Sequence, residues 1–510
     1  MAPEPTRNVA DVPAETVCVA ASEALRTSVR ELSGNVAGAV LRALGTTLPS
    51  SAEEFARLER QLSAIAVNMI VGPVLAAVLH ELHASQAFVA ASVTNARKTR
   101  PLQVHRAADV SLTLAHGAIV SAVTPYATPP RPSRKKRRVG RPRAQGRRGL
   151  GGSGCYPVLA KLGFLGCRSP AYWSAVARAA AEVGSYAEAR ASLASRGLEI
   201  DYKTLRCVTH QVADAGLEAR RCLENAAETR ELEGKRVVVA FDGGRVRTRV
   251  QDKRGRPRKE TGRVGFDAPW REPALVAVYV VGDDGKKLPG TRPWYEATLG
   301  GWDAQFGLAV DLLRRLGARH AREVVIAGDG AASIWDRVDD LVGATGIPPA
   351  RVRKFADFWH AVEHLHAVAE LLPASWSDEQ RATWVRYRRR ALFEGKVDDV
   401  IAAIREHVLG RNAKLIEGEA EYFEKRTHLM RYDKLRAANL PIGTGAVESA
   451  IRRVVNLRMK GPGIFWDEAN AERMLLLRCR LKSGRWDDLE REVYAQTAAL
   501  HGRALENSRE

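Results

Sequence analysis

The sequence predicts an α/β domain that is interrupted by an all-α insertion and preceded by all-α regions. Three observations lead to this fold class. Apolar runs suited to the middle of a sheet stand at 237–241, 274–281 and 324–327. Helix-like segments such as Trp302–Leu316 alternate with these runs and with a further strand candidate at 352–356. Residues 361–440 have the pattern of helices almost throughout.

The composition is that of a folded and strongly basic chain. Its 510 residues suffice for about three domains, and 45% hydrophobic with 27% charged residues favours packed cores over disorder. The net charge of +20 favours a polyanion as partner, nucleic acid before an anionic membrane surface. The six cysteines form no CxxC pair, which argues against a zinc ribbon or a disulfide framework.

The sequence predicts no signal peptide and no membrane span. Met1–Asn8 lacks the charged-then-apolar pattern of a signal peptide. The uncharged run Leu62–Leu79 is near the minimum length of a span, but Asn68 and the Gly72-Pro73 break favour a buried core helix. We therefore expect no membrane partner.

The amino-terminal part divides into a helical region and a basic linker. Residues 1–125 are Ala-rich, helical in pattern and without recognisable chemistry. Residues 126–153 are rich in proline and arginine, which is typical of a flexible linker that follows phosphates. The Gly-Arg-Pro core of the linker is similar to an AT-hook, which inserts arginines into a narrow minor groove, and a nuclear import signal is the alternative. The predicted DNA contacts there are Arg137, Arg138, Arg141 and Arg143.

Residues 154–230 carry a helix-turn-helix-like pattern. A helix candidate over Tyr186–Arg196 ends at Gly197, and Asp201 can cap the helix that follows. The second helix would bury an apolar face made of Leu205, Val208 and Val212. Plain helical packing is the alternative to DNA binding. The predicted DNA contacts on the outer face are Lys203 and Arg206.

Two aspartates follow apolar runs within residues 235–360. Asp242 comes directly after the run at 237–241, and Asp329 lies between two glycines shortly after the run at 324–327. In α/β sheets ligands bind at the carboxyl ends of strands, where glycines let them approach the backbone. A simple turn explains either aspartate alone, but two of them in one domain favour a site.

The third carboxylate, Glu448, lies within residues 441–490. A glycine-rich run opens a helix that is predicted to reach about Lys460, with Glu448 in its first turn. At α-helical spacing Arg452 and Lys460 share the stripe of Glu448, so both are predicted DNA contacts. The alternative is an ion pair between Glu448 and Arg452 on a solvated face, which contributes only about 0.2–0.5 kcal/mol.

Carboxylates near one another predict a site for Mg²⁺ or Mn²⁺, which prefer hard oxygen ligands. Two ions about 4 Å apart can clamp the attacking and leaving oxygens of a phosphoryl displacement. This chemistry needs no side-chain nucleophile, and the sequence contains no G-x-S-x-G elbow, Walker A loop or dinucleotide fingerprint. We expect two ions per site, held by Asp242, Asp329 and Glu448.

In their order and positions, Asp242, Asp329 and Glu448 resemble the DDE triad of RNase-H-like transposases. In that fold the first aspartate lies on the first strand, the second just beyond the fourth strand, and the glutamate on a later helix. The long interval between Asp329 and Glu448 resembles the helical insertion of Mutator and hAT families. The Pro-Ile-Gly-Thr-Gly-Ala-Val-Glu-Ser block is similar to transposases of bacterial insertion sequences, and the resemblance covers about residues 170–490.

A second motif, Asp357-Phe358-Trp359-His360, resembles the Cys/Asp-x-x-His motif of the same families. Asp357 and His360 are therefore possible accessory residues. They could contribute to metal binding, or His360 could merely order the insertion. The sequence leaves both roles open.

A basic segment between the first two predicted strands contains the Arg-Gly-Arg-Pro core of an AT-hook. Its position after Asp242 predicts a DNA-binding loop beside the active site, and a solvated hairpin tip is the alternative. The predicted DNA contacts in this loop are Lys253, Arg254, Arg256 and Arg258.

The resemblance implies an RNase-H-like α/β core that catalyses cleavage and strand transfer at the ends of an insertion sequence. The partners would be double-stranded DNA, as transposon ends and target, and further copies of the chain in a dimer or larger synaptic complex. A bacterial protein would be cytoplasmic and nucleoid-associated, whereas a eukaryotic one would be nuclear. The alternatives are a structure-selective nuclease without strand transfer and a domesticated, non-catalytic DNA-binding protein.

The predicted organisation has seven segments. They are a helical region (1–125), a linker (126–153), a helix-turn-helix-like region (154–230), a first core part (235–360), the insertion (361–440), a second core part (441–490) and a tail (491–510).

Overall fold

The computed structural model describes residues 22–44, 65–99, 101–130, 154–222, 227–251 and 266–500, together with residues 58, 61 and 62. The chain forms two compact units, one of residues 1–219 with 489–510 and one of residues 220–488. Among the described helices, no single one is long and apolar enough to cross a membrane. The helices Met69–Ala84 and Gln86–Lys98 meet that criterion only as a pair, and the pair is bent by 81°.

The first unit combines helices with short antiparallel ladders. Its helices are α1 (Glu23–Leu44), α2 (Gly72–Ala84), α3 (Gln86–Thr99), α4 (Pro157–Lys161), α5 (Pro170–Glu182), α6 (Tyr186–Ala194) and α7 (Tyr202–Arg221), the last of which reaches the boundary with the second unit. Its strands are β1 (Gln103–Val104), β2 (Ala108–Thr113), β3 (Ile119–Thr124) and β4 (Ala127–Thr128).

The prediction of an all-α region over residues 1–125 is wrong at its carboxyl end. Strands β2 and β3 pair as an antiparallel hairpin, and β1 pairs with β4. Along β2 the buried Leu112 stands between more exposed neighbours, a period of two that suits a strand rather than a helix. Strand β4 also falls inside the predicted linker, whose residues 131–153 lie outside the described part of the chain.

The helix-turn-helix-like pattern folds locally as predicted. Gly197 follows α6 with a φ of +79°, a conformation that side chains disfavour, and Asp201 Oδ1 accepts a hydrogen bond of 2.9 Å from the Thr204 amide at the start of α7. Lys203 and Arg206 are exposed. The buried face consists of Leu205, Val208 and Val212.

The second unit contains a five-stranded sheet, whose strands stand in the spatial order β11 (Trp294–Thr298), β10 (Ala274–Val281), β5 (Arg236–Gly243), β12 (Glu323–Gly328) and β13 (Val352–Ala356). Strand β10 is antiparallel to both β5 and β11, whereas β12 is parallel to β5 and β13. The predicted strands are therefore confirmed, and β11 is an additional strand.

Two short ladders extend from the end of β5 towards the predicted basic loop. Strand β6 (Val246–Arg247) pairs with β9 (Trp270–Arg271), and β7 (Val250–Gln251) pairs with β8 (Phe266–Asp267). The intervening residues 252–265, which include Lys253, Arg254, Arg256 and Arg258, lie outside the described residues.

One face of the sheet is covered by α8 (Gly301–Arg315), α9 (Ala332–Trp335) and α10 (Val338–Thr345). Val237, Val239 and Phe241 of β5 enter this core, where the Phe241 ring stacks on Phe306 at 4.5 Å. Because side chains alternate along a strand, Asp242 belongs to the opposite face.

The insertion is helical, as predicted. It begins with α11, whose first turn is capped by the last residue before the helix, Asp357. Its helices are α11 (Phe358–Leu371), α12 (Asp378–Phe393), α13 (Val397–Arg405), α14 (Ala413–Arg426) and α15 (Tyr432–Ala437).

The final core helix is not continuous. It consists of α16 (Gly445–Ile451), a π-helical turn (Arg452–Asn456) and the short α17 (Leu457–Met459). The predicted stripe that joins Glu448 to Lys460 is therefore wrong, because the wider π turn changes the phase and Lys460 has an extended backbone. Two helices follow, α18 (Glu468–Lys482) and α19 (Trp486–Leu500).

Candidate active site

Strand alternation brings the predicted aspartates to one face of the sheet. Val324 and Ile326 of β12 enter the core under α8, so Asp329 continues the opposite series. The same alternation assigns Asp242 to that face, against which α16 packs at β5 and β10. Glu448 is carried by α16, whose Val447 is fully buried. Carboxylates from distant segments therefore share one face.

The Asp242 side chain is half-buried at the end of β5. Its Oδ1 accepts a hydrogen bond of 2.7 Å from the Gly243 amide, which favours the ionised form. Burial, and then the negative charges of Asp329, Glu448 and Asp357, outweigh that bond and raise the pKa of Asp242 to about 7. The four carboxylates are thus close enough to interact electrostatically.

Asp329 is held by the loop that follows β12. Its Oδ1 accepts a hydrogen bond of 2.9 Å from the Ala331 amide, and its carbonyl oxygen accepts one of 2.6 Å from Trp335 Nε1. These contacts fix the backbone and one carboxylate oxygen, so the direction of the side chain is set before any ligand binds.

Thr444 links Glu448 to Asp357. The Thr444 hydroxyl lies 2.6 Å from Asp357 Oδ2 and 3.1 Å from Glu448 Oε1. A hydroxyl has one proton, so it donates to only one of these carboxylates at a time. The shorter contact favours Asp357 as the acceptor. Glu448 is exposed, and its Oε1 lies within hydrogen-bonding distance of this hydroxyl.

Asp357 is buried, with 2% of its surface exposed, and both of its oxygens are engaged. Oδ1 accepts a hydrogen bond of 2.8 Å from the His360 amide, and Oδ2 accepts from the amide and the hydroxyl of Thr444. Asp357 therefore caps α11 and also fastens the glycine-rich segment before Glu448. A direct role of Asp357 at a metal stays a prediction.

His360 lies at the side of this cluster. Its Nδ1 is 3.1 Å from Glu363 Oε2, and its ring meets the His364 ring edge-on at 5.0 Å. These contacts suit the ordering of α11. Metal ligation by His360 also stays a prediction.

The proposed ligands have no cation partners. Among the described residues, no Lys or Arg forms an ion pair with Asp242, Asp329 or Glu448. The alternative pair between Glu448 and Arg452 is not formed, although Arg452 is exposed. Glu448 is therefore free of the intrahelical contact that would have explained it without a site.

The donor set suits magnesium or manganese in its chemistry. No group of three or more His, Cys, Asp or Glu side chains in the described part of the chain is arranged closely enough to hold a metal ion as it stands. Carboxylate oxygens are nevertheless the ligands these ions prefer, and burial, followed by the negative charges of the neighbouring carboxylates, raises the pKa of Asp242. A divalent cation would offset that repulsion.

Sequence reasoning missed two groups near the aspartates. Glu272, just before β10, has its pKa raised by partial burial and then by the charge of Asp329. Tyr422 of the insertion lies against Gly330, where a side chain at residue 330 would overlap its ring. No spacing rule connects either residue to the strand ends, because both contacts depend on the folded chain.

The predicted DNA contacts have different outcomes. Arg452 and Lys460 are exposed in the second unit, as are Lys203 and Arg206 in the first. The linker residues Arg137, Arg138, Arg141 and Arg143 lie outside the described residues.

Comparisons with known proteins identify no relative. No protein-family model, curated protein or solved structure matches this chain. The geometry and chemistry of its own residues therefore carry the functional argument.

Proposed function

We propose that the chain is a DDE-type DNA transposase with an RNase-H-like core. The observation that carries the proposal is the set of three carboxylates, Asp242, Asp329 and Glu448, on one face, with no ion pair to any Lys or Arg that the structure describes. Their positions agree with the resemblance, since Asp242 lies on the first strand of the sheet and Asp329 directly follows the fourth. The helical insertion between Asp329 and Glu448 is a further point of agreement.

The side chains supply orientation and charge. Backbone amides each hold one oxygen of Asp242 and Asp329, and the Thr444 hydroxyl lies between Asp357 and Glu448. Magnesium or manganese ions bound there would activate the attacking oxygen and stabilise the leaving oxygen of a phosphodiester. The carboxylates bind no DNA by themselves, because they repel phosphates.

Basic surfaces would provide the DNA affinity. The net charge of +20 attracts a polyanion, and each phosphate contact releases counterions. Exposed Lys203 and Arg206 on α7 suit a recognition helix, while exposed Arg452 and Lys460 follow Glu448 along the chain. Multimers that pair two DNA ends are part of the proposal.

The test uses a plasmid in which a marker lies between the two DNA segments that flank the chain's own gene. The assay measures cleavage at these flanks and joining of the cut ends to target DNA. With magnesium or manganese, the wild-type protein should cut at the flanks and join the 3′ ends to target DNA. Glu448→Gln should bind the DNA normally yet cut at least about 1000-fold more slowly, a loss of about 4 kcal/mol of transition-state stabilisation.

The matched control is Glu468→Gln, because Glu468 is also an exposed glutamate in the first turn of a helix. It should retain activity. Cutting without joined product would instead favour a structure-selective nuclease. Binding without metal-dependent cutting would favour a domesticated DNA-binding protein, and equal activity of the two glutamine variants would refute the assignment of Glu448.

A further inference from the structure

The helical insertion brings a tyrosine hydroxyl to the residue that follows Asp329. A methyl group placed on Gly330 would lie 2.6 Å from the Tyr422 hydroxyl oxygen and would overlap the ring and Arg426. The hydroxyl therefore occupies the space that a side chain at residue 330 would fill. Gly330 is the residue type that permits this approach.

The Tyr422 hydroxyl is shielded from solvent and has no hydrogen-bond partner among the described residues. An unsatisfied buried hydroxyl is costly, and native proteins satisfy most such groups. The hydroxyl keeps its proton at neutral pH, because burial first, and also the charges of Asp329 and Asp357, raise the pKa of Tyr422 well above its ordinary value. It is thus a neutral donor beside an acidic cluster.

The ring that carries this hydroxyl contacts His364 and Arg426. It stacks on the His364 ring with centroids 3.6 Å apart, and His364 Nδ1 lies 2.7 Å from Glu419 Oε2. The Arg426 guanidinium lies 4.4 Å from the ring centroid and donates to the carbonyl oxygens of Gly330 and Tyr422. The insertion therefore fixes the donor relative to the loop that carries Asp329.

We propose that Tyr422 is a further catalytic residue, whose hydroxyl donates a hydrogen bond to a non-bridging oxygen of the phosphodiester held at Asp329. The inference rests on the proposed function. A phosphodiester supplies what the hydroxyl lacks, an anionic acceptor that carries no proton of its own. A neutral donor is suited to this position, since it adds a hydrogen bond to the phosphodiester without adding a charge beside Asp329.

The test is Tyr422→Phe, which keeps the ring and removes only the hydroxyl. A hydrogen bond to a charged oxygen contributes about 1.5–3 kcal/mol, so DNA cleavage should slow by about tenfold to 150-fold. DNA affinity should hold, and the thermal midpoint should stay the same or rise, because a partnerless hydroxyl is gone. A ring with a purely structural role would leave the cleavage rate unchanged.

The matched control is Tyr387→Phe, the same change at an exposed tyrosine of the insertion, which should leave cleavage and stability unchanged. Gly330→Ala should lower cleavage as well, because the added methyl group displaces Tyr422 or Arg426. If the wild type does not cut, the proposed function itself has failed. If the wild type cuts and Tyr422→Phe cuts equally fast, only this inference is overturned.

Sulphur substitution identifies the atom that accepts the bond. Each non-bridging oxygen of the mapped scissile phosphate is replaced by sulphur in turn. Cleavage is measured with manganese, which tolerates sulphur ligands. With the isomer whose sulphur faces Tyr422, the wild type should cut more slowly than with the normal phosphate. Tyr422→Phe, already slow, should slow little further with the same isomer, so the effects of the sulphur and of the substitution are not additive. Additive losses for both isomers would overturn the proposed contact.

Discussion

The second unit contains two groups of carboxylates that the fold treats in opposite ways. Glu296 of β11 is 1% exposed and pairs with Arg480 at 2.6 Å and with Arg220 at 3.8 Å. Asp242 of β5 is half-buried, but the charges that act on it are those of other carboxylates. The chain therefore supplies arginines where a buried acid serves the fold. At the strand ends, no cation of the described residues forms an ion pair with Asp242, Asp329 or Glu448.

The largest expected loss of stability follows from breaking the ion pair between Glu296 and Arg480. Arg480→Met removes the nearer cation from Glu296, and loss of one partner of a buried pair costs about 3–5 kcal/mol. Urea unfolding should show this loss of free energy. Arg322→Met, which breaks an exposed pair with Asp283, should cost less than about 1 kcal/mol. Similar losses of free energy of unfolding for the two variants would contradict the view that the buried pair stabilises the fold more than the exposed pair does.

The second prediction concerns Asp242, whose substitution is expected to raise the free energy of unfolding rather than to lower it. The folded state raises the pKa of Asp242 from 3.8 to about 7, so the stability linked to this proton is present below pH 4 and is lost as the pH rises through 7. In metal-free buffer, Asp242→Asn should therefore stabilise the protein by roughly 1–4 kcal/mol at pH 8, and by about half as much or less at pH 5.

Magnesium should reduce the difference in stability between the wild type and Asp242→Asn. Millimolar magnesium at pH 8 is expected to raise the thermal midpoint of the wild type and to have little effect on Asp242→Asn. Equal midpoints for the two proteins at every pH would contradict the assignment of Asp242 to an acidic cluster.

The smallest expected effect concerns the link between Asp357 and Glu448. Thr444→Val keeps the shape of the side chain but removes the hydroxyl that lies between Asp357 and Glu448, so manganese affinity should fall about 10- to 100-fold. Thr444→Ser should retain most of the affinity. Calorimetric titration of the DNA-free proteins measures both, and equal affinities for the valine and serine variants would show that the hydroxyl plays no part.

The strand-end aspartates could be predicted because their signals are local. The central strands are covered on both faces, so their sequences are continuous apolar runs, and Asp242 and Asp329 stand where such runs end. Glu448 required the family resemblance, since its own helix also allowed a pair with Arg452. Only the structure shows that the exposed Arg452 does not form this pair.

Features that depend on distant partners could not be predicted. Strand β11 is short and has Glu296 at its centre, which disfavours a buried strand until Arg220 and Arg480 are known to neutralise it. The hairpin of β2 and β3 was hidden within an Ala-rich, helix-like region. The approach of Tyr422 to Gly330 likewise depends on how the insertion folds back onto the core.

The order of the segments also has a consequence for folding. Strands β5 and β10 to β13 all lie within residues 236–356, whereas α16 follows the whole insertion. Contacts between distant segments form late, because closing a long loop costs chain entropy. The sheet can therefore assemble while Glu448 is still far from Asp242, so the repulsion between these two carboxylates enters only when α16 docks.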